Sequence, residues 1–285
     1  MKNTKRILAV VVLYKMTFEQ SRGLRSLLKI ISENKDAADA IDLMVCDNTP
    51  YEQAMPDWFT GHFYRDVTNP GLAHWYNIAL QNAAANGIGW ILVLDQDTEA
   101  TTEYIAEIIE RTSSMEEDRE IVAVFPKLVQ NGVVCSPLTP PTYHHPLPFD
   151  RNFTGVAPSR LHVFNSGSVF RVSAVQDAGG FPEEFPLDFL DHATYAALQS
   201  RGGRLFVLQS ILEHELSSND IHRTDPAAVA RHCNALQAER KFYQLNGSTQ
   251  DRIFRRVRLL RGGLAALVKH GAVGWSLRMM KAALH

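Results

Sequence analysis

Residues 90–98 have the sequence WILVLDQDT, in which an apolar run is followed by two carboxylates, Asp95 and Asp97. Such a run is typical of a buried strand, whose C-terminal end would hold Asp95 and Asp97 at a sheet edge, where α/β proteins bind ligands. An extended chain puts both carboxylates on one side, and they repel unless a cation or hydrogen-bond donors lie between them. Carboxylate oxygens suit Mg²⁺ or Mn²⁺, and Mg²⁺ is often shared with substrate phosphates. The pattern favours a metal–diphosphate site, with a solvated strand end as the alternative.

The first half of the chain alternates predicted strands and helices that could position this pair. Apolar runs predict strands at 7–14, 42–47, 90–95 and 121–125. Helical spacing predicts helices at 18–32 and 72–86, and a third that begins after Thr101 or Thr102. Alternation of this kind predicts parallel βαβ units in a doubly wound, mostly parallel sheet of the α/β class.

The second half of the chain begins with a proline-rich stretch and ends in helices. Residues 131–158 predict a long loop without secondary structure, followed by short strands at 163–165 and 168–171. Helices at 172–178 and 188–200 and a strand at 204–209 come next, and the chain from Pro226 onward is predicted to be all-helical. The sequence therefore predicts an α/β domain with a helical C-terminal extension.

The composition excludes several classes of protein. The chain has 285 residues, 45% of them hydrophobic and 21% charged, as expected for a soluble globular protein with a sizeable core. The net charge of −2 gives no signal for nucleic acid binding. Cys46, Cys135 and Cys233 lie far apart, without metal-ligand or disulfide spacing, and Cys46 is predicted to lie in the core. Because nothing suggests a disulfide framework, a reducing cytoplasm is the expected location. No segment has the ~20 apolar residues that a membrane span needs.

The C-terminal segment combines basic and apolar residues. From Asp251 onward the chain contains eight basic residues and one acid, Asp251, and the basic residues are interspersed with apolar ones. Gly262-Gly263 is predicted to break the helix. Such a pattern predicts contact with an anionic membrane surface, or packing on the domain or on a second copy of the chain.

In their order along the chain, the motifs resemble those of family 2 glycosyltransferases with a GT-A fold, and within that family those of bacterial rhamnosyltransferases. The motifs are VVLY, CDNT, NPGLAHWYNIAL, LVLDQDT, FNSGSVF, PLDFLDHATYAAL and LEHELS. The resemblance implies a nucleotide-diphospho-sugar transferase fold over residues 1–217, with a nucleotide-sugar half at about 1–126 and an acceptor half at about 127–217. Residues 218–285 match only loosely and form the predicted extension.

The resemblance assigns donor-binding residues to the first half of the chain. Asp47 would accept a hydrogen bond from the pyrimidine ring N–H, because a carboxylate accepts and does not donate; the alternative is a turn cap with Asn48. The turn at Asn69 and Gly71 precedes a helix whose N-terminus would face the nucleotide. The other assigned donor-binding residues are Tyr14, Asn77 and Asp95, and a surface position is the alternative for Asn77.

The resemblance also assigns metal ligands and catalytic groups. Asp97 would ligate the metal, with Asp95 and His214 as further ligands, and a histidine packed at a strand end is the alternative for His214. Asp191 is expected to be the catalytic base and Asp188 to bind the acceptor, with the two roles exchanged as the alternative. Gln96, between the carboxylates, is expected to point to the opposite face and to matter little. The segment beside the acceptor is assigned to Asn165, Ser166 and Gly167.

The resulting expectation is an inverting, Mg²⁺- or Mn²⁺-dependent glycosyltransferase. Its donor would be a nucleoside-diphosphate sugar, dTDP-L-rhamnose in the first instance, and its acceptor a bacterial surface glycan such as O-antigen, free or lipid-linked. The alternatives are a UDP-hexose donor on the same fold and a non-catalytic nucleotide-binding protein. The expected location is cytoplasmic, with the C-terminal helices at the inner membrane surface or in a homo-oligomer.

Overall fold

The computed structural model describes residues 6–140, 146–158, 160–214 and 225–284. Its strands are β1 (Ile7–Leu13), β2 (Ile41–Asp47), β3 (His62–Arg65), β4 (Trp90–Asp95), β5 (Ile121–Gln130), β6 (Val133–Ser136), β7 (Gly155–Val156), β8 (Ser168–Arg171) and β9 (Arg204–Glu213). Its helices are α1 (Arg22–Glu33), α2 (Lys35–Ala40), α3 (Leu72–Ala85), α4 (Thr102–Ser114), α5 (Val172–Asp177), α6 (Leu190–Ser200), α7 (Pro226–Asn246), α8 (Thr249–His270) and α9 (Val273–Leu284).

The described strands form one nine-stranded sheet in the order β3-β2-β1-β4-β8-β5-β9-β7, with β6 paired to β5. The strands β1 to β4 pair in parallel, as do β5 and β9, whereas β8 is antiparallel to both of its neighbours. In this register Leu13 lies beside Asp47, and Val12 lies beside Asp95. The carboxyl ends of β1, β2 and β4 therefore meet at one edge.

Helices cover both faces of the sheet, and this explains why its strands are apolar throughout. All seven residues of β1 are buried. Leu8 and Val10 face a core that includes α3, α5 and α6, whereas Ala9 and Val11 face the core formed with α1, α2 and α4. The α/β class and the doubly wound, mostly parallel sheet are confirmed. Cys46 lies in the core as predicted.

Several local predictions are wrong. The stretch 131–158 contains β6 and β7, and 163–165 forms no strand. Helix α1 begins at Arg22 because the hydroxyl of Ser21 accepts a hydrogen bond from the N–H of Leu24 and caps it. The sequence pattern also missed α2 and β3, which are short.

The C-terminal part is helical, as predicted, but Gly262-Gly263 does not break α8. A Cβ at Gly263 would lie 3.2 Å from both Met280 Cγ and the carbonyl oxygen of Ser276, so this glycine allows α8 and α9 to pack closely. Helix α8 ends at Gly271, which has a φ of +63°. Among the described helices none is both long and apolar enough to cross a membrane. The predicted boundary at 217/218 and the last three residues of LEHELS lie outside the described residues.

Candidate active site

The shared edge of β1, β2 and β4 brings predicted site residues together. The backbone N–H of Tyr14 donates a 2.8 Å hydrogen bond to Gln96 Oε1, and Gln96 Nε2 donates in return to the Tyr14 carbonyl at 3.3 Å. The side chain of Gln96 thus links the end of β1 to the segment between the two carboxylates. Gln96 was expected to matter little, but its side chain forms both of these hydrogen bonds with the backbone of Tyr14.

Asp95, Asp97 and His214 form a cluster suited to a divalent cation. One potential ligand atom from each lies within 4.8 Å of the other two. His214 reaches the cluster because it follows β9, and its backbone N–H donates to the carbonyl of Val129 at 2.9 Å. The three sequence-assigned ligands therefore come together from two strands that are far apart in the chain.

A chain of hydroxyl groups supports this cluster. His214 Nδ1 lies 2.8 Å from Thr98 Oγ1, which accepts a 2.9 Å hydrogen bond from the Ser166 hydroxyl. If Nδ1 carries the proton and donates to Thr98, then Nε2 keeps its lone pair for a cation. The Ser166 hydroxyl also accepts from the N–H of Asp95 at 3.3 Å. Thr98 was missed by sequence reasoning, although it stands three residues after Asp95.

The electrostatics of Asp95 favour a cation. Burial, with smaller contributions from the negative charges of Asp97 and Asp191, raises the pKa of Asp95 to about 6, although His214 and the Ser166 hydrogen bond act in the opposite direction. A carboxyl group whose charged form is disfavoured by burial and by like charges is stabilised by a cation placed between them. Two carboxylates and one imidazole form a donor set that suits Mn²⁺ well and Mg²⁺ less well.

Asp47 is fully buried at the end of β2. Its Oδ1 accepts a 2.9 Å hydrogen bond from the N–H of Thr49, so it does cap a turn, but through Thr49 and not through Asn48. Its Oδ2 has no hydrogen-bond partner in the described part of the chain and lies 3.5 Å from Arg65 Nε. One buried oxygen of Asp47 is therefore available to accept from a ligand.

Two neighbours of Asp47 were not anticipated from the sequence. Arg65, at the end of β3, forms an ion pair with the buried Asp47 carboxylate. Asn48 accepts a 2.5 Å hydrogen bond from the indole N–H of Trp75 on α3. Trp75 therefore fixes the strand end that carries Asp47.

The turn at Asn69 and Gly71 packs against the loop before α6. Both residues have positive φ, at +53° and +95°. The N–H of Leu72 donates to the carbonyl of Pro186 at 2.7 Å, and a Cβ on Gly71 would meet the same oxygen at 2.7 Å. The first amide of α3 is thus already engaged by protein, so a nucleotide would have to use other groups of this turn.

Asn77 connects α3 to the same loop. Its amide donates to the carbonyl of Phe181 at 2.9 Å and to Glu183 at 3.2 Å, and its Oδ1 accepts from the N–H of Phe181 at 2.8 Å. Because both polar atoms are engaged, Asn77 positions the loop in this structure, and its contact with a donor stays a prediction.

The segment Asn165–Ser166–Gly167 precedes β8 and contacts β4, because the N–H of Gly167 donates to the carbonyl of Val93 at 2.8 Å. Asn165 Oδ1 is buried and has no hydrogen-bond partner within the described residues. Gly167 has a φ of +73°, and a Cβ there would meet Pro126 and Leu212 at 3.0 and 3.1 Å. The glycine is therefore required for packing, whereas Asn165 offers an acceptor to a ligand hydroxyl.

Asp188 and Asp191 have different surroundings. Asp188 precedes α6 and forms an ion pair with Arg231 of α7, whereas Asp191 lies in the first turn of α6. Among the described residues no Arg or Lys forms an ion pair with Asp191, and the Nδ1 atom of the His192 imidazole lies 3.7 Å from its carboxylate. Burial raises the pKa of Asp191 to about 7, against the hydrogen bond from the His192 N–H.

Phe189, between them, adopts the left-handed conformation, with a φ of +65°, immediately before α6. This conformation is uncommon for a bulky residue and recurs at functional sites. A cavity of about 90 Å³ lies beside His192, whose ring packs against His162 at a centroid distance of 4.7 Å. Burial lowers the pKa of both imidazoles, to about 4 for His192 and about 3 for His162.

The chain is similar in structure to S. aureus TarS, with a TM-score of 0.53 at 13% identity over 98% of this chain. It spans 54% of that TarS chain, or about half its length. A structure of TarS 1–349 gives a TM-score of 0.50 at 12% identity, with 97% of this chain and 89% of that chain covered. The structure of the same fragment in complex with UDP-GlcNAc gives a TM-score of 0.49 at 13% identity, with 98% of this chain and 90% of that chain covered.

Neither protein-family models nor curated protein sequences match the chain. The structural similarity at this low identity establishes the fold. The chain has a GT-A-type α/β fold with a helical C-terminal part, as the sequence predicted.

Proposed function

We propose that this protein is an inverting, metal-dependent glycosyltransferase that uses a nucleoside-diphosphate sugar. The observation that carries the proposal is the cluster of Asp95, Asp97 and His214 within 4.8 Å, at the edge where β1, β2 and β4 end. Asp191, the candidate base, lies near enough for its charge to contribute to the raised pKa of Asp95. A diphosphate site beside an uncompensated carboxylate is the arrangement that sugar transfer requires.

The donor base would bind at Asp47. Its buried Oδ2, which has no hydrogen-bond partner within the described residues and lies 3.5 Å from Arg65 Nε, would accept a hydrogen bond from a ring N–H. Thymine and uracil present the same ring N–H, so Asp47 supports a pyrimidine nucleotide of either kind. Tyr14, which follows β1 and is 41% exposed, is proposed to pack on the base.

Mg²⁺ or Mn²⁺ fits the donor set, and Asp97, Asp95 and His214 would hold it. When bound, the cation supplies positive charge that stabilises the diphosphate as it leaves. Thr98 and Ser166 orient His214 through the hydroxyl chain described above.

Asp191 is the proposed base. In the transfer, the acceptor hydroxyl loses its proton to the Asp191 carboxylate while its oxygen bonds to the anomeric carbon. The bond from that carbon to the diphosphate oxygen breaks, the electron pair leaves with the nucleoside diphosphate, and the anomeric centre inverts. A pKa of about 7 suits this role at neutral pH, whereas the ion pair of Asp188 with Arg231 suits acceptor positioning.

The donor sugar is proposed to be L-rhamnose from dTDP-L-rhamnose, on the strength of the resemblance of the DQDT and D-x-x-D motifs to rhamnosyltransferases. A UDP-hexose is the second candidate, because Asp47 does not distinguish uracil from thymine. The acceptor is proposed to be a bacterial surface glycan, with the buried Asn165 Oδ1 accepting from one of its hydroxyls. A non-catalytic nucleotide-binding protein would not need an unpaired carboxyl with the pKa of Asp191.

A panel of nucleotide sugars tests the proposal. The purified chain is incubated with dTDP-rhamnose, UDP-glucose, UDP-galactose or UDP-N-acetylglucosamine, with Mn²⁺, Mg²⁺ or a chelator, and released nucleoside diphosphate is measured. We expect one donor to be cleaved, only with a divalent cation, and Asp97→Ala to abolish cleavage while its melting curve stays normal. Asp36→Ala, an exposed carboxylate on α2, is the matched control and should be fully active. Cleavage of none of the donors, or equal cleavage with chelator, would refute the enzyme as proposed.

A further inference from the structure

Helix α8 carries two apolar faces, and only one of them is buried. Leu259, Gly263 and Ala266 are buried, where α8 meets α9. On another face lie large apolar side chains that are 40–74% exposed and that recur at intervals of three, four or seven residues, which places them in one row. We call this row the outer stripe; it consists of Ile253, Leu260, Leu264, Leu267 and Val268. An exposed apolar row of this length on a helix usually marks an interaction surface.

Basic residues flank the outer stripe. Arg256 and Arg261 stand beside Leu260 and Leu264 in the helix and are exposed. In the part of the chain that the structure describes, neither guanidinium has an ion pair. Helix α9 adds its own exposed apolar residues, Leu277 (62%) and Leu284 (76%). Basic and apolar groups therefore alternate over the outside of these two helices.

The charge of the C-terminal helices is strongly positive although the whole chain carries −2. Residues 226–285 contain eleven basic and two acidic residues. Both acids are already engaged, because Glu239 pairs with Arg255 and Arg258, and Asp251 caps α8 through Ser248. The remaining positive charge is available to an external anionic surface.

A cavity of about 160 Å³ between α7 and α8 is lined mostly by arginine: Arg240, Tyr243, Gln244, Arg252, Arg255 and Arg256. Arg252 is held by the carbonyls of Tyr243, Gln244 and Gly247 at 3.2–3.3 Å. Arg240 and Arg256 are exposed and have no such partner within the described residues. Guanidinium groups bind phosphate oxygens through paired N–H donors. Arg256 lines the cavity and also flanks the outer stripe. The arginine-lined cavity, which is suited to phosphate, therefore lies next to the outer stripe.

We propose that α8 lies on an anionic phospholipid surface. The outer stripe enters the boundary between headgroups and acyl chains, and the arginine-lined cavity binds lipid phosphates. A second copy of the chain fits this face poorly, because a two-fold contact through the stripe would bring Arg256 and Arg261 of both copies together. The inference goes beyond the proposed function and does not depend on it.

Vesicle co-sedimentation of the full chain tests the inference. Vesicles of phosphatidylcholine with about 30% phosphatidylglycerol should bind the protein, and vesicles of phosphatidylcholine alone should not. Binding should weaken several-fold when salt rises to about 0.5 M, because surface charges are then screened. The pair Leu260→Asp and Leu264→Asp should weaken binding about tenfold or more, and Arg240→Gln with Arg256→Gln should weaken it several-fold. Leu147→Asp, at a leucine that is 63% exposed elsewhere, is the matched control and should bind normally.

Circular dichroism should show that these variants remain folded, because every replaced side chain is exposed. Three results would overturn the inference: no binding to the anionic vesicles, binding that the stripe variant leaves unchanged, or binding of inorganic phosphate without vesicle binding, which indicates a free-anion site. A doubled mass in solution that the stripe variant returns to the monomer, without lipid binding, would assign the stripe to a second copy. Because the assay needs no turnover, its failure would leave the glycosyltransferase proposal intact.

Discussion

Replacing Asp191 by asparagine should nearly abolish turnover and at the same time stabilise the fold above neutral pH. Asparagine keeps the volume of the side chain, and its amide oxygen can still accept the 2.7 Å hydrogen bond from the His192 N–H. What the variant loses is the carboxylate, which is both the proposed base and a buried charge that has only the neutral imidazole of His192 beside it. The two effects have opposite signs, so they separate a catalytic role from a structural one.

The stability effect follows from the raised pKa. Burial moves the pKa of Asp191 from 3.8 to about 7. Between these two values the folded state binds more protons than the unfolded state, so stability falls as the pH rises and is lowest above pH 7. A difference of about three pKa units corresponds to about 4 kcal/mol, as an upper bound. The asparagine side chain carries no charge in either state, so the variant should gain nothing near pH 4 and most at pH 8.

Thermal melting and steady-state kinetics over pH 5–8 measure both effects. Each kcal/mol should raise the Tm by about 2–4 °C in a chain of this size. The kcat of the wild type should rise with pH through about 7, because only the carboxylate accepts a proton, and Asp191→Asn should lower kcat by about 10²–10⁴-fold with little change in donor KM. Asp188→Asn is the matched control, and its stability change should depend less on pH because Arg231 offsets the burial of Asp188. A Tm difference that is equal at pH 5 and pH 8, or a kcat near that of wild type, would refute the assignment.

Three further outcomes follow from single contacts. Asp47→Asn should raise the donor KM about tenfold with a smaller change in kcat, because it replaces an acceptor paired with Arg65 by an amide; donor titrations at saturating acceptor check this, and an unchanged KM counts against base binding. His214→Gln should raise the Mn²⁺ concentration needed for half-maximal activity about 10–100-fold while the activity at saturating Mn²⁺ is largely retained, which a metal titration measures; an unchanged titration excludes His214 as a ligand. Gly263→Leu should lower stability by about 1–3 kcal/mol, because the added side chain meets Met280, and denaturant unfolding measures it; a stability equal to wild type would mean that α8 and α9 do not pack as described.

Local patterns predicted the core of the site. The strand Trp90–Asp95 was predicted with its observed bounds, because an apolar run followed by acids reports burial and exposure within a few residues. Helix α3 begins after Gly71, whose φ of +95° only glycine adopts easily, so its start was also readable. Features whose cause lies in adjacent residues could therefore be predicted.

Local patterns could not predict contacts that join distant parts of the chain, and only the family resemblance placed His214 with Asp95 and Asp97. The ion pair of Asp188 with Arg231 spans 43 residues, and the hydrogen bond between Trp75 and Asn48 spans 27. No local spacing indicates such partners, since they depend on how the sheet and helices pack. Gln96 was misjudged for a related reason, because strand alternation stops at Asp95 and the next residue turns toward β1.

The prediction that Gly262-Gly263 breaks α8 is wrong, because glycine destabilises a helix too little to end it here. A glycine costs a helix interior only about 1 kcal/mol relative to alanine, and close packing on α9 offsets that cost. The helix ends instead at Gly271, where φ is positive.

The most direct test of the account is the affinity of the chain for a pyrimidine nucleoside diphosphate, measured by isothermal titration with and without Mn²⁺. We expect dTDP or UDP to bind at least about tenfold more tightly with Mn²⁺ in the wild type, and Asp97→Ala to lose that enhancement while the metal-free affinity stays the same. Nucleotide binding that Mn²⁺ does not change, or that Mn²⁺ enhances equally in Asp97→Ala, would contradict a diphosphate–metal site at Asp95, Asp97 and His214.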